Sequence, residues 1–272
     1  MTLKPIHLKT LKFILLILVV VIFTSCEDND EDFFPGQIGQ VISDLSASFD
    51  TLNTAMASGA MAIAPDPADT AMIRNKMSEL YANSSFSENF SFIDEEGILK
   101  IIEPSAFYPY EGSDVSTQEH VIRAWETLEP VLSEEFYAVE GYYATVDLHP
   151  IVINGVLGGG VSTLFKPEDI LGRIILPYVS GEAFEMWVME KGGVVLYDQD
   201  ADEIGRNVIT DTLYQAFPEL IAAAELIDAE KSGETSYSFY QTGTTTKVVK
   251  KTYWDTWELY GTEWKIVWVK PE

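Results

Sequence analysis

Three aspartates, Asp198, Asp200 and Asp202, stand at alternate positions in the stretch 192–208, GGVVLYDQDADEIGRNV. An EF-hand calcium loop takes oxygen ligands from positions 1, 3 and 5, a glycine at position 6 and a bidentate glutamate at position 12. Here position 6 is Glu203 and position 12 is an isoleucine. Because the closing carboxylate is lacking, the pattern disfavours calcium, and a solvated turn at the end of a strand explains it better.

Groups suited to catalysis are sparse in the rest of the chain. The 272 residues include three histidines and one cysteine, and only His120 and His149 follow the N-terminal 25 residues. The sequence contains no Gly-x-Ser-x-Gly elbow and no phosphate-binding loop. The 43 acidic residues are scattered, so no tuned carboxylate pair is indicated. We therefore predict a protein that is not an enzyme, binds no metal and needs no cofactor.

Residues 1–25 have the form of an export signal. Basic residues and the apolar run FILLILVVVIF (13–23) lead to the segment Phe23-Thr24-Ser25-Cys26. This segment resembles the lipobox of bacterial lipoprotein signals, with phenylalanine where leucine is usual. We expect cleavage before Cys26 and lipidation of its thiol, and an uncleaved signal anchor is the alternative. Both readings place the rest of the chain outside the cytoplasm, on the periplasmic or cell-surface side of a membrane.

The chain is strongly acidic. It carries 17 Lys and Arg against 43 Asp and Glu, a net charge of −26, and loss of the three lysines in the leader makes it −29. Nucleic acids and anionic lipid head groups need a positive protein surface. The charge therefore argues against nucleic acid as a partner and fits a solvated exported protein. Residues 26–36, with the run EDNDEDFFPG, are predicted to form an acidic tether.

An apolar stripe predicts a long N-terminal helix. Its members are spaced by 4, 3, 4, 3 and 4 positions, which puts them on one helical face: Ile38, Ile42, Leu45, Phe49, Leu52 and Met56. A helix of about 25 residues is nearly 40 Å long. APDPAD (64–69) ends it, and Pro67 suits the first turn of a second helix.

The remaining sequence repeats one pattern with a period of about 95 residues. FSFIDEEGILKIIEP and FEMWVMEKGGVVLYDQD both predict a β-hairpin, and their glycines Gly97 and Gly193 are 96 positions apart. A helix and an alternating antiparallel meander follow each hairpin. We therefore predict an α+β fold of two tandem modules, 37–165 with the long helix and 166–272, each an antiparallel sheet with flanking helices.

The run of motifs FIDEEGIL, GSDVS, PVLSEEF, GGGVS, GGVVLYDQDADEIGRNV and GTEWKIVWV resembles a double Cache domain. Such domains are tandem PAS-like extracytoplasmic sensors of chemoreceptors and sensor kinases. The resemblance covers roughly residues 36–270. It implies a small-molecule ligand, such as an organic acid, an amine or a purine, on one sheet face, mostly in the first, membrane-distal module. It also implies that YDQDADEIGRNV marks the end of a central strand, with Gly205 in the turn.

The resemblance fails at one motif. The amino-acid-binding subgroup of the family carries Arg, Trp and Tyr shortly after a D-x-S turn. Alignment on Asp114 and Ser116 puts Gln118, His120 and Val121 at those positions. An α-amino acid recognised in the usual way is therefore not expected.

Candidate ligand-binding residues come first from a loop and the helix after it. Tyr108 and Tyr110 lie on SAFYPYEGSD, and aromatic rings on a loop often line a small-molecule site. Sealing the edge of the sheet is the alternative. Arg123, with Trp125 nearby, suits a bidentate contact to a carboxylate, although a surface pair with Glu119 at helical spacing explains it equally well.

Further candidates lie on the strand that follows this helix. Because alternate residues of a strand face opposite sides, Tyr143 and Asp147 share one face. A second group of aromatic residues crowds the last two strands, Tyr253, Trp254, Trp257, Tyr260, Trp264 and Trp268. Cross-strand packing is a commoner outcome for such a group than a cage for a cationic ligand.

Taken together, the sequence predicts a membrane-anchored extracytoplasmic Cache-type sensor or ligand-binding lipoprotein for an organic acid, an amine or a similar small molecule. The sequence to Glu272 shows no kinase, second membrane helix or coiled signalling rod. The expected second partner is therefore a membrane signalling or transport protein. The alternative function is a structural or protein-interaction lipoprotein with a Cache-like fold and no functional pocket.

Overall fold

The computed structural model describes residues 34–272. The predicted export signal (1–25), Cys26 and most of the predicted tether lie outside the described residues. The predicted α+β class with two antiparallel sheets and a long N-terminal helix is confirmed.

The predicted long helix is α1, Gly36–Ile63. Its 28 residues span about 42 Å. The predicted stripe is buried except for Ile42, which is only half-buried. Its neighbour Val41, which was not in the stripe, is fully buried. The second helix, α2, is Thr70–Asn83, so Pro67 lies in the turn before it rather than in its first turn. Asp69 caps α2, since its carboxylate accepts hydrogen bonds from two backbone N–H groups of the first turn at 3.1 and 3.0 Å.

The first sheet contains six strands. They are β1 Ser87–Ile93, β2 Leu99–Glu103, β3 Val131–Leu132, β4 Phe136–Tyr137, β5 Tyr143–Ile153 and β6 Val156–Phe165. Their order is β2-β1-β6-β5-β3, and β4 also pairs with β5. A 3₁₀ helix, Ser105–Tyr110, and α3, Glu119–Thr127, connect β2 to β3.

The second sheet repeats this order after α4, Pro167–Val179. Its strands are β7 Glu185–Glu190, β8 Val195–Tyr197, β9 Gly233–Tyr240, β10 Lys247–Leu259 and β11 Thr262–Pro271, in the order β8-β7-β11-β10-β9. The helix predicted between its β blocks is broken. A 3₁₀ turn, Thr212–Ala216, precedes α5, Pro218–Ala229, because Pro218 has no N–H to continue an earlier helix and suits a first turn.

The two hairpins have the same turn at the same place. The N–H of Gly97 donates to the carbonyl of Asp94, and that of Gly193 donates to the carbonyl of Glu190, both at 3.0 Å. Both glycines have positive φ, +83° and +94°, a conformation that other residues adopt only with strain. The 96-residue repeat is therefore a repeat of backbone structure.

The stretch with three aspartates follows β8, which lies at the edge of its sheet and not in the centre as the resemblance implied. Asp198 and Asp200 each accept a hydrogen bond from the backbone two residues on, at 2.8 and 3.1 Å. Gly205, with φ +80°, takes the chain back along β8. These aspartates therefore form consecutive Asx turns.

The main core lies between α1 and one face of each sheet, here called the inner face. Helix α1 contacts β5 and β6 of the first sheet and β10 and β11 of the second. The ring of Phe49 lies 5.7 Å from that of Phe165 in the first sheet, and 4.8 and 5.9 Å from those of Trp257 and Trp264 in the second. Trp257 and Trp264 are also 4.9 Å apart across β10 and β11, so the predicted cross-strand aromatic packing is confirmed for this pair.

Phe49→Ala should lower the free energy of unfolding by about 3–5 kcal/mol, because it leaves a cavity where the two sheets meet α1. Urea denaturation of the two proteins measures this difference. Met61→Ala, on the same helix but 70% exposed, is the control and should change stability by less than about 0.5 kcal/mol. Equal losses for the two variants would contradict the role of Phe49.

Candidate functional site

The opposite, outer faces of the sheets carry cavities. In the first sheet, α3 covers the outer face, and alternate residues of β1 and β6 point towards it. Asn89, Ser91, Ser162 and His120 supply polar groups to a cavity of 30 Å³ there, whose other lining residues are mostly apolar. The cavity has room for about one water molecule. The Ser91 and Ser162 hydroxyl oxygens are 2.6 Å apart, and the Asn89 amide donates to the Glu140 carboxylate at 3.1 Å.

This small cavity continues into an open crevice of 460 Å³. Gln118, His120 and Phe136 line both the cavity and the crevice. Arg123 and Glu135 line the crevice but not the cavity. Burial, with a smaller contribution from Arg123, lowers the pKa of His120 to about 4, so its ring is neutral at pH 7. Burial, with the nearby Glu168 carboxylate, raises the pKa of Glu135 to about 7.

Tyr108 and Tyr110, from the predicted loop, point to different places. The Tyr108 hydroxyl donates to Glu103 at 2.6 Å, and the Arg74 guanidinium lies 4.5 Å from its ring centre. The Tyr110 hydroxyl donates to the Glu140 carbonyl at 3.2 Å, and its ring packs against the apolar cluster of the outer face.

Arg123 and Trp125 lie on α3, at the outer face. Arg123 donates to the Leu132 carbonyl at 2.6 Å and lies 3.6 Å from the Glu119 carboxylate, so the helical pair considered as the alternative is present. Trp125 packs directly on the backbone of β6, because a Cβ at Gly160 would lie 2.7 Å from its Cη2.

Tyr143 and Asp147, on β5, are distant from this crevice. Tyr143 is 60% exposed, and its ring lies 5.3 Å from that of Tyr137. Asp147 is fully buried on the inner face, with Oδ1 3.3 Å from Nε2 of His149. The structure therefore brings Arg123 and Trp125 to one region and places Tyr108, Tyr143 and Asp147 elsewhere.

A larger cavity, of 130 Å³, lies on the outer face of the second sheet. Three of its lining residues, Glu185, Trp187 and Val195, stand 96 positions after three that line the first cavity, Asn89, Ser91 and Leu99. Sequence reasoning missed this site, although the 96-residue repeat pointed to it.

A larger groove, of 570 Å³, lies among α1, α2 and α4 and away from both outer faces. Its polar groups already have partners, since Tyr178 donates to Asp44 at 2.7 Å and Arg173 donates to the Ser85 carbonyl. We therefore place the candidate site on the outer faces. Within residues 34–272 no three acidic, histidine or cysteine side chains are grouped as metal ligands, and no helix there combines the length and apolar character needed to cross a membrane.

Comparison with known proteins agrees with this fold. Residues 47–167 match the sequence model of a family described as the HK/GC/chemotaxis protein-like sensor domain. An extracellular ligand-binding receptor from Desulfohalobium retbaense is 26% identical with a TM-score of 0.74, over 87% of this chain and 40% of that one. The chain thus spans less than half of that receptor. No curated protein is significantly similar in sequence.

Two chemoreceptor domains extend the comparison. The ligand-binding domain of PctB from Pseudomonas aeruginosa, solved with L-Arg, is 15% identical with a TM-score of 0.62, over 87% of this chain and 91% of that one. That of CtaA from Pseudomonas fluorescens, solved with L-isoleucine, is 13% identical with the same TM-score, over 85% and 88%. The resemblance to double Cache sensor domains is confirmed.

His120→Gln should remove part of the acid sensitivity of the fold. Because the folded-state pKa of His120, about 4, is below its ordinary value of 6.5, unfolding takes up a proton between these pH values. Above pH 6.5 the neutral His120 ring does not lower the free energy of unfolding. As the pH falls from 6.5 to below 4, this free energy decreases by about 3 kcal/mol in all. Urea denaturation at pH 4 to 7 should show a shallower loss for the variant. The same slope in both proteins would contradict this assignment.

Proposed function

We propose that the chain is an extracytoplasmic sensor or solute-binding lipoprotein that holds a small molecule on the outer face of its first module. The observation that carries this proposal is the cavity under α3, with its buried polar groups, and the crevice lined by Arg123 that shares Gln118, His120 and Phe136 with it. Both lie in a duplicated fold shared with ligand-binding sensor domains.

The crevice supports an organic acid as the ligand. Arg123 is the one basic side chain in its lining and is partly exposed; one terminal nitrogen donates to the Leu132 carbonyl and the other lies 3.6 Å from the Glu119 carboxylate. Glu119, Glu134 and Glu135 also line the crevice, so an acid would bind Arg123 in place of Glu119. Gln118 and His120, at positions where the amino-acid-binding subgroup has Arg and Trp, line the same space. An uncharged amide and a neutral imidazole replace those groups, so a carboxylate without a conventional α-amino site fits better. Of the other predicted ligand-binding residues, Trp125 has a supporting part in this proposal, because it packs α3 against the backbone of β6.

Attachment to the membrane through Cys26 is the second part of the proposal. The ring of Phe34, the first described residue, packs 6.0 Å from that of Tyr253 in the second sheet. The chain therefore enters the folded part at the second module. This supports the assignment of 166–272 as the membrane-proximal module and 37–165 as the distal one.

One observation favours the alternative of an interaction lipoprotein without a working pocket. The cavity under α3 in the first module holds only 30 Å³, whereas ligand pockets are usually about 300–1,000 Å³. A ligand must therefore occupy the crevice or open the cavity further.

A thermal-shift screen of the full chain in detergent, with organic acids, amines, amino acids and purines, tests ligand binding. A ligand at 100 times its Kd stabilises the folded state by about 2.7 kcal/mol, which should raise Tm by roughly 5–10 °C. Arg123→Gln should abolish the response to an acid, whereas Arg173→Gln, outside the crevice, should retain it. Absence of any shift across the screen would favour the interaction lipoprotein.

Cys26→Ser tests the anchor. The natural chain, expressed in a bacterial host, should incorporate radiolabelled palmitate and fractionate with membranes, and the variant should lose the label. If the variant still fractionates with membranes and the natural chain carries no label, the leader is an uncleaved anchor. Ser25→Ala, which keeps a small residue before the cysteine, is the control and should leave labelling intact.

A further inference from the structure

The second module has a cavity of its own at the place equivalent to the first. It contains 130 Å³, space for about four water molecules, against 30 Å³ in the first module. Strand β7 contributes Glu185 and Trp187 where β1 contributes Asn89 and Ser91. At these two equivalent positions the second module therefore has a carboxylate and an indole, whereas the first has an amide and a hydroxyl.

The charges around this cavity are mostly negative. Glu185, Asp198, Asp200 and Glu203 line it, and Lys250 is the one basic side chain that does so. The Lys250 ammonium is 2.9 Å from Glu185, so these two charges offset each other. Lys250 also faces Asp198, so the lining holds four carboxylates against one ammonium.

Asp198 contributes a carboxylate to the lining of the cavity. Its Oδ1 accepts the backbone N–H of Asp200 at 2.8 Å, and Tyr237 and Trp187 line the same cavity. The Trp187 side chain is 94% buried, given its exposure of 6%. Its indole N–H lies close to the Tyr237 hydroxyl but forms no well-aligned hydrogen bond. An ammonium has no acceptor for this N–H, so Trp187 would contact a cation through the face of its ring.

Aromatic rings form the rest of the wall. They belong to Trp187, Tyr214, Tyr237, Phe239 and Tyr240. The ring centre of Phe239 lies 6.2 Å from that of Tyr214 and 5.6 Å from that of Tyr240. The Lys250 ammonium lies 5.9 Å from the Phe239 ring centre, so this wall already contacts one cation. Aromatic faces beside a carboxylate are the usual chemistry of sites for organic ammonium ions.

We propose that the second module binds a small organic cation, a primary or quaternary amine, in this cavity, with Asp198 as its counter-ion and the aromatic wall against its alkyl groups. This site is additional to the one proposed in the first module and does not depend on it. The volume limits the ligand to a small amine.

Binding should depend on pH through Asp198. Burial is the main cause that raises the pKa of Asp198 to about 7, with Glu203 and Glu185 adding to it and the Asp200 N–H and Lys250 opposing it. A bound ammonium favours the ionised carboxylate, so binding releases a proton when the free site is protonated. Affinity should therefore fall as the pH drops below 7, approaching about tenfold per pH unit.

Isothermal titration calorimetry of the full chain in detergent tests the site, with choline, putrescine and tyramine as cationic probes and succinate as an anionic one. At pH 8 we expect saturable binding of at least one amine. Asp198→Asn, which keeps the shape, should weaken it by about tenfold or more and remove its pH dependence. Glu225→Gln removes the same charge from the exposed side of α5 and should bind as the natural chain does. Circular dichroism confirms that each variant is folded.

Other outcomes overturn the proposal. Amine binding that Arg123→Gln abolishes and Asp198→Asn leaves intact would place the ligand in the first module, so the proposed function would stand and this site would fail. If succinate binds in a manner that requires Arg123 and no amine binds, the proposed function would likewise stand and the site in the second module would fail. If Asp198→Asn cannot be purified folded, Trp187→Phe replaces it and should weaken amine binding, and an unchanged affinity would equally contradict the site.

Discussion

The contact of α1 with the inner faces of both sheets holds the structure together. A sheet can bury one face against a helix, and here a single helix serves two sheets. Phe49 touches aromatic rings from both, and the cluster around it extends through α2 and α4. Without this helix, each sheet would expose to water the part of its inner face that α1 covers, at a cost of about 25 cal/mol for each Å² of apolar surface.

The same arrangement determines where function can reside. Because α1, α2 and α4 cover the inner faces, the cavities with polar lining groups lie on the outer faces, under α3 and α5. The duplicated strand order then gives two comparable positions, and their side chains differ. The first has an amide, two hydroxyls and a neutral imidazole. The second has carboxylates and aromatic rings. One scaffold thus presents two chemistries, a familiar consequence of building sites on a fold that tolerates substitution.

Much of the fold was predictable from the sequence, and less of the site. Helical periodicity located α1, and the paired glycines located both hairpins, because these signals are local. The break before Pro218 and the late start of α2 were missed, since several helix starts were compatible with the same prolines. The faces of β5 could not be assigned because residues 144–149 are buried on both sides, so polar and apolar residues do not alternate with burial. Thus Asp147 looked like a pocket residue and lies instead under α1.

The run of α1 through both modules has a mechanical consequence. Phe34, two residues before α1, packs against Tyr253 in the second sheet. At the other end, Met61 in the last turn of α1 lies near Leu128 and Pro150 of the first module. The two sheets therefore share one support, and a change in the packing of either inner face against α1 also reaches the helix that packs on the other.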